Sequence, residues 1–250
     1  MSTEAEQFER ISTRVFQNSS AAAQEVAGEI ADLIKRRSKE GKQAVLGLAT
    51  GSTPLPVYQE LVRLHREENL SFRNVVTFNL DEYYGLNTDH PESYHQFMWQ
   101  RLFSKVDIPE DQLHLPSGTV KRSKVFASCA SYDEAINKVG GLDYQILGIG
   151  RTGHIGFNEP GSTRDSKTRL VSLDALTRRD AARDFLGEAN VPRYAITMGV
   201  GTILKADRIV LMAWGQAKAG VVQQAVEEAP NENLPAGLLQ GHKDVRFFID

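Results

Sequence analysis

Apolar positions along this chain switch between two periods, and the switching marks out its elements. From Ser20 to Arg37, Val26, Ala27, Ile30, Ala31, Leu33 and Ile34 recur three and four residues apart, which is one face of a helix. Ala44 to Ala49 (AVLGLA) is a short, almost wholly apolar run between a Gly-Lys turn and Thr-Gly, as expected of a strand covered on both faces. The same grammar predicts a helix from Pro54 to about Arg66, a strand from Asn74 to Leu80, and helices over about Glu92–Phe103 and Val125–Val139. A strand from Asp143 to Ile149 then runs into a long loop rich in Gly, Asn, Pro and Ser. Beyond it Arg169–Leu173, Tyr194–Met198, Arg208–Trp214 and Val245–Ile249 read as strands. With no internal repeat, low-complexity tract or linker, residues 1–250 are expected to form one α/β domain. Its fold is a single doubly wound, mainly parallel sheet with helices on both faces, Rossmann-like in type.

In such sheets a ligand sits outside the carboxyl ends of the strands, so the polar strand-end loops are the places to look. Ala49–Pro54 closes a strand and opens a helix, with Pro54 at the first helical position and Thr53 as its cap. Gly51, Ser52 and Thr53 there form either a phosphate cradle at a helix N-terminus or a capped turn that binds nothing. The second loop, Asn79–Tyr84, sets Asp81 beside Glu82. The pair is either a solvated turn or a site in which one carboxylate, partly desolvated, serves as a general base. His90 and His95 follow, but their spacing fits neither an i, i+4 pair nor an H-E-x-x-H metal motif, which favours surface or capping roles. The third loop, Gly148–Ser162, is the most informative. Four glycines before Phe157 imply tight turns or close approach to a ligand, and His154 with Glu159 makes a proton-transfer pair in which the carboxylate fixes tautomer and charge.

Composition narrows the classes. The 250 residues are 41% hydrophobic, and the scaling of surface with size lets such a chain bury roughly three quarters of its surface without staples. A single cysteine, Cys129, rules out an internal disulfide and a Cys-rich metal site. Net charge is −3, from 29 basic and 32 acidic residues, which disfavours a nucleic-acid partner. The polar start, Met1–Asn18, and the lack of any 18-residue apolar run give no signal peptide or membrane span, so a cytoplasmic enzyme is expected.

Several segments, in order, resemble one family. They are LGLATGSTP (Leu46–Pro54), FNLDEYYGL (Phe78–Leu86), HPESYHQFM (His90–Met98), LGIGRTGHIGFNEPGS (Leu147–Ser162), AITMGVGTIL (Ala195–Leu204) and LPAGLLQGH (Leu234–His242). Together they span nearly the whole chain and resemble the glucosamine-6-phosphate deaminase (isomerase) family. The resemblance implies hydrolytic deamination with aldose-to-ketose isomerisation: glucosamine 6-phosphate and water give fructose 6-phosphate and ammonia, with no metal or organic cofactor. It also implies Asp81 as the base moving a proton between C2 and C1, His154 with Glu159 as the ring-opening group, and a phosphate held by Gly51, Ser52, Thr53, Arg183 and Lys218. Two alternatives remain in view: a 6-phosphogluconolactonase-like hydrolase, and a sugar-phosphate-binding regulatory module without turnover.

Three departures from the family pattern stand out. Where many members carry Asn-Asp or a similar pair before Gly-His, this chain has Arg151-Thr152, so a carboxylate beside the histidine is absent. Some members are hexamers activated by N-acetylglucosamine 6-phosphate, bound between subunits by a serine, an arginine and a lysine. The serine and arginine positions match Ser162 and Arg169, but the lysine position is Val171, so a homo-oligomer is expected to show little such activation. Finally, the chain stops at Phe248-Ile249-Asp250, where members usually continue into a closing helix, as in a shortened chain or a piece of a longer one.

Overall fold

The computed structural model describes residues 9–250. It opens with a short strand β1 (Ser12–Val15) and the helix α1 (Ser19–Lys39). The Asn18 side chain caps α1 by accepting from the Ala21 N–H, and Arg36, Arg37 and Lys39 complement the dipole in its last turn. Its apolar stripe, Val26, Ala27, Ile30, Ala31, Leu33 and Ile34, is buried as the period requires. The strands β2 (Ala44–Leu48) and β3 (Val75–Asn79), separated by α2 (Leu55–Glu68), are buried at every position, the mark of central strands covered on both faces.

The main sheet also contains β5 (Leu113–His114), β6 (Tyr144–Gly148), β9 (Arg208–Ala213) and β10 (Val245–Ile249). Its seven strands are all parallel, in the order β1-β10-β9-β6-β2-β3-β5. The chain moves one way from β2 through α2 to β3. From β3 it continues through α3 (Tyr94–Arg101) and β5, and α4 (Val125–Lys138) brings it back to β6. From β6 it moves the opposite way to β9, then through α7 (Ala219–Glu227) to β10. Because parallel crossovers are right-handed as a rule, crossovers of opposite direction place helices on both faces. They also make the β2–β6 boundary the topological switch point, where the ends of adjacent strands diverge and leave a crevice.

A second, three-stranded antiparallel sheet stands beyond the carboxyl end of β3. It pairs β4 (Asp81–Tyr83) with β8 (Tyr194–Thr197) and β8 with β7 (Arg169–Ser172). The apolar pattern finds β7 and β8 but assigns them to the main sheet, and it reads β4 as a loop. Leu80 joins the two sheets: its N–H donates to Leu48 O at 2.9 Å, and its carbonyl accepts from the Met198 N–H at 2.6 Å. Tyr83, Phe157, Phe185, Leu173, Val191 and Ala195 form a separate apolar cluster over this sheet. Between β7 and β8 lies α5 (Ala175–Ala181), and the short α6 (Val200–Ile203) follows β8. Among the described residues no helix is long and apolar enough to cross a membrane.

Candidate active site

The loop after β6 brings His154 back over the strand end. Gly150 N–H donates to His154 O at 2.9 Å, and a Cβ added at Gly150 would lie 2.1 Å from the imidazole Cε1 and Nε2. Only glycine lets the ring lie there. On the far side of the ring, Nδ1 stands 3.0 Å from Thr152 Oγ1 and 3.2 Å from Glu159 Oε2. The Thr152 hydroxyl donates to the same Glu159 oxygen at 3.0 Å, and Thr177 Oγ1, from α5, donates to Glu159 Oε1. Burial by itself would push the Glu159 carboxyl up. The hydrogen bond and charge of His154, with the two threonine hydroxyls, outweigh it and hold the group below the usual carboxylate range. Glu159 thus accepts the Nδ1 proton and leaves Nε2 to exchange one. The Thr152 hydroxyl, in a chain position where the sequence offers no carboxylate, binds both members of the pair.

Asp81 and Glu82 do not form a solvated turn. Both are buried in β4 and point to opposite sides, as alternation along a strand dictates. Glu82 is a structural anion: Oε1 accepts from the Tyr83 and Tyr94 N–H groups at 2.8 and 3.0 Å, and Oε2 accepts from the His95 N–H at 3.0 Å. It therefore neutralises unpaired donors at the start of α3, whose Ser93 side chain caps it by accepting from the Gln96 N–H. Asp81 has no hydrogen-bond donor of this kind among the described residues. Burial, reinforced by the neighbouring charge of Glu82, pushes its carboxyl well above the usual range. Gly156, at φ +56°, leaves the room in front of it: a Cβ there would lie 3.2 Å from Asp81 Oδ2 and 3.0 Å from Thr197 Oγ1. The histidine loop and the Asp81 carboxylate are thereby neighbours.

The Gly51–Thr53 segment leads into α2, but Thr53 is not its cap. The helix begins at Leu55, Pro54 occupies the cap position, and no side chain bonds the first turn; there the Leu55 N–H donates to Ser52 O at 3.4 Å and Pro56 has no N–H to offer. Thr53 instead packs 3.6 Å from the space a Gly148 Cβ would fill, and its carbonyl accepts from Trp214 Nε1 at 2.9 Å. Lys218 Nζ donates to Ile149 O at 2.8 Å, so its ammonium lies at the β6 strand end. Burial pulls its pKa down. Arg183 is exposed just beyond α5, while its neighbours Asp184 and Phe185 line a cavity of about 450 Å³ with Gly51, Ser52 and Tyr94. The structure thus brings Lys218 to the strand ends and leaves the Arg183 guanidinium outside that cavity wall.

Ser162 and Arg169 are brought together: Arg169 Nη2 donates to Ser162 Oγ at 2.9 Å and Nη1 to Asn158 Oδ1 at 2.8 Å. Burial pulls the Arg169 pKa down, and among the described residues no carboxylate pairs with it. His90 Nδ1 accepts from the Glu92 N–H at 3.1 Å, a local turn role. Among the described residues no group of three or more His, Cys, Asp and Glu is placed to hold a metal ion. The sequence motifs contain Tyr94 and Thr197 but give neither a role, and Thr177 lies outside every motif: it stands 18 residues from Glu159, on a helix that no local pattern ties to the histidine loop.

A doubly wound sheet with its polar loops gathered at one switch point is an α/β protein built to hold a small ligand there. The family model for glucosamine-6-phosphate isomerases/6-phosphogluconolactonase matches residues 17–247, and the chain belongs to this family. It is 47% identical over 227 residues to a glucosamine-6-phosphate deaminase of Geobacillus sp. (strain WCH70), covering 91% of this chain and 90% of that one. Identity to the deaminase of Thermoanaerobacter sp. (strain X514) is 44% over 227 residues, 91% of this chain and 89% of the other. The solved structure of a monomeric glucosamine-6-phosphate deaminase superposes with a TM-score of 0.91 at 42% identity, over 96% of this chain and 97% of that one. A 6-phosphogluconolactonase from Thermotoga maritima, at 21% identity and TM-score 0.74 over 95% and 98% of the chains, shares the fold.

Proposed function

We propose that the chain is a glucosamine-6-phosphate deaminase, a cytoplasmic hydrolase with isomerase chemistry. The observation that carries its mechanism is a buried Asp81 carboxylate, with no protein donor bonded to it among the described residues, beside a loop bearing an oriented His154–Glu159 pair. In this reading His154 Nε2 moves the proton between the anomeric hydroxyl and the ring oxygen, which opens the sugar. Asp81 then takes the C2 proton, giving an enolamine, and returns it to C1. The C2 imine so formed adds water and loses ammonia, leaving a ketone. An acid held above its ordinary range is a base matched to a weakly acidic carbon, because proton transfer is most efficient when donor and acceptor strengths approach each other.

In this reading the Gly51–Thr53 backbone, the Lys218 ammonium at the β6 strand end and the exposed Arg183 guanidinium supply the phosphate site. Lys218→Ala is expected to raise KM more than tenfold. A charge-assisted contact contributes about 1.5–3 kcal/mol, and tenfold requires about 1.4 kcal/mol. Inorganic phosphate competes with substrate in the wild type, and glucosamine without phosphate is a very poor substrate. Equal efficiency on the unphosphorylated sugar would remove this assignment.

The same reading predicts kinetics without an effector. Val171 supplies neither charge nor donor beside Ser162 and Arg169. Of the nearby cations, Arg164 is committed to the Leu238 and Gln240 carbonyls, and Lys167 is exposed. Substrate titrations with and without N-acetylglucosamine 6-phosphate should both be near hyperbolic. A sigmoidal curve made hyperbolic by the effector would show an effector site that works without that lysine.

A further inference from the structure

We propose that Thr177 is a positioning residue for the His154–Glu159 pair: from α5 its hydroxyl fixes the outer oxygen of Glu159, so that the inner oxygen stays on the imidazole. This rests on the reading of that pair as the ring-opening group. The two oxygens of Glu159 are divided between different partners. Oε2 takes Thr152 Oγ1 and faces His154 Nδ1, both within the catalytic loop, whereas Oε1 takes Thr177 Oγ1 from a separate helix. The terminal torsion of a glutamate is broad, so one oxygen alone does not define the plane of the carboxylate. The second donor does, and Thr177 supplies it.

The burial of α5 points the same way. Its sequence is ALTRRDA, and its one buried residue is Thr177, 8% exposed, while Leu176 beside it is 38% exposed. A helix docked for apolar packing would turn its leucine inward and its threonine out. Here the side chain chosen for burial is a hydroxyl aimed at a carboxylate. The helix is set in that rotation by Asp174, whose side chain accepts from the Leu176 N–H, and by a forked ion pair in which Arg151 Nε donates to Asp180 Oδ2 at 2.9 Å. Arg151 precedes Thr152, so loop and helix meet at two points. The ion pair is about half exposed and contributes little by itself. The buried hydroxyl is the contact that reaches the pair: it donates to Glu159 Oε1 and lies 3.5 Å from His154 Nδ1.

The charged groups around the pair are Arg151 with Asp180, Lys218 against the Ile149 carbonyl, and Arg169 through Ser162, which itself donates to Glu159 O. None of them donates to Glu159 Oε1. Removing the Thr177 hydroxyl therefore leaves the ionised form of Glu159 short of one donor, and its carboxyl must rise.

The test compares Thr177→Val, which keeps the shape and drops the hydroxyl, with Thr177→Ser, which keeps the hydroxyl, and with Glu159→Gln as reference. Thr177→Val should lower kcat for glucosamine 6-phosphate roughly tenfold to hundredfold with KM nearly unchanged, and move the acid limb of the kcat profile to higher pH. Thr177→Ser should restore both. Wild-type kcat and an unmoved limb in Thr177→Val would overturn the inference. So would equal losses in Val and Ser, which mark packing, or a rise in KM alone, which marks substrate contact. If Glu159→Gln itself retains full turnover, the ring-opening reading falls and the inference with it. If Glu159→Gln collapses while Thr177→Val does not, the inference alone falls.

Discussion

Asp81→Asn is expected to lower turnover by about 10²- to 10⁴-fold, the contribution typical of a positioned general base, while sugar-phosphate binding survives. Exchange of the C2 hydrogen with solvent should collapse in step with it. The same substitution should raise the thermal midpoint at neutral pH. Burial holds the Asp81 carboxyl well above its unfolded range, so between those two values the native state keeps a proton that the unfolded chain has released. Folding stability therefore declines as pH climbs from about 4 through the native value, and the full cost of the buried charge is present above it. Asparagine removes that cost. The gain in midpoint should be larger at pH 7 than at pH 4. Turnover near the wild-type level would remove Asp81 from the mechanism, and a lower midpoint at pH 7 would mean that its charge is compensated in the folded protein.

His154→Gln should cost about 10²-fold or more on the cyclic substrate and much less on an open-chain analogue. Glutamine can occupy the space above Gly150 and accept or donate a hydrogen bond, but it cannot carry a proton between two sugar oxygens at neutral pH. Rates on cyclic and open-chain forms, measured separately, check this directly. Equal losses on both would place His154 in the later steps instead. The Glu159 carboxyl, held below the ordinary range, should remain ionised into acid, so a carboxylate faces His154 Nδ1 throughout the neutral region. The stability it gives is present above the unfolded value and lost as pH falls through the native one.

Much of this was legible in the chain because the central strands are buried on both faces. AVLGLA and NVVTFNL have no solvent side to write, so their apolar runs stand out between turns. The three strand-end loops were legible for the complementary reason: glycine, hydroxyl and charge appear together where a sheet would otherwise continue. β4 was not legible. Asp-Glu-Tyr is poor strand sequence, and its partner β8 lies more than a hundred residues along the chain. Glu82 is tolerated in it because the first turn of α3 supplies donors, and Asp81 is left without them. A local rule broken without compensation is what a reactive carboxylate looks like from the sequence side. Thr177 was invisible because its helix carries an unremarkable polar sequence, and its partner Glu159 is fixed only in three dimensions. Thr-Pro is a common helix start and suggests Thr53 as the cap; here the proline itself takes the cap position.

The most direct test of the central claim is the release of ammonia from glucosamine 6-phosphate by the purified chain, followed together with formation of fructose 6-phosphate, with galactosamine 6-phosphate and 6-phosphogluconolactone as parallel substrates. Ammonia and ketose phosphate should appear in equal amounts from the glucosamine substrate, and Asp81→Asn should abolish both. Hydrolysis of the lactone without ammonia from either amino sugar would contradict the account, as would binding of the sugar phosphates without turnover.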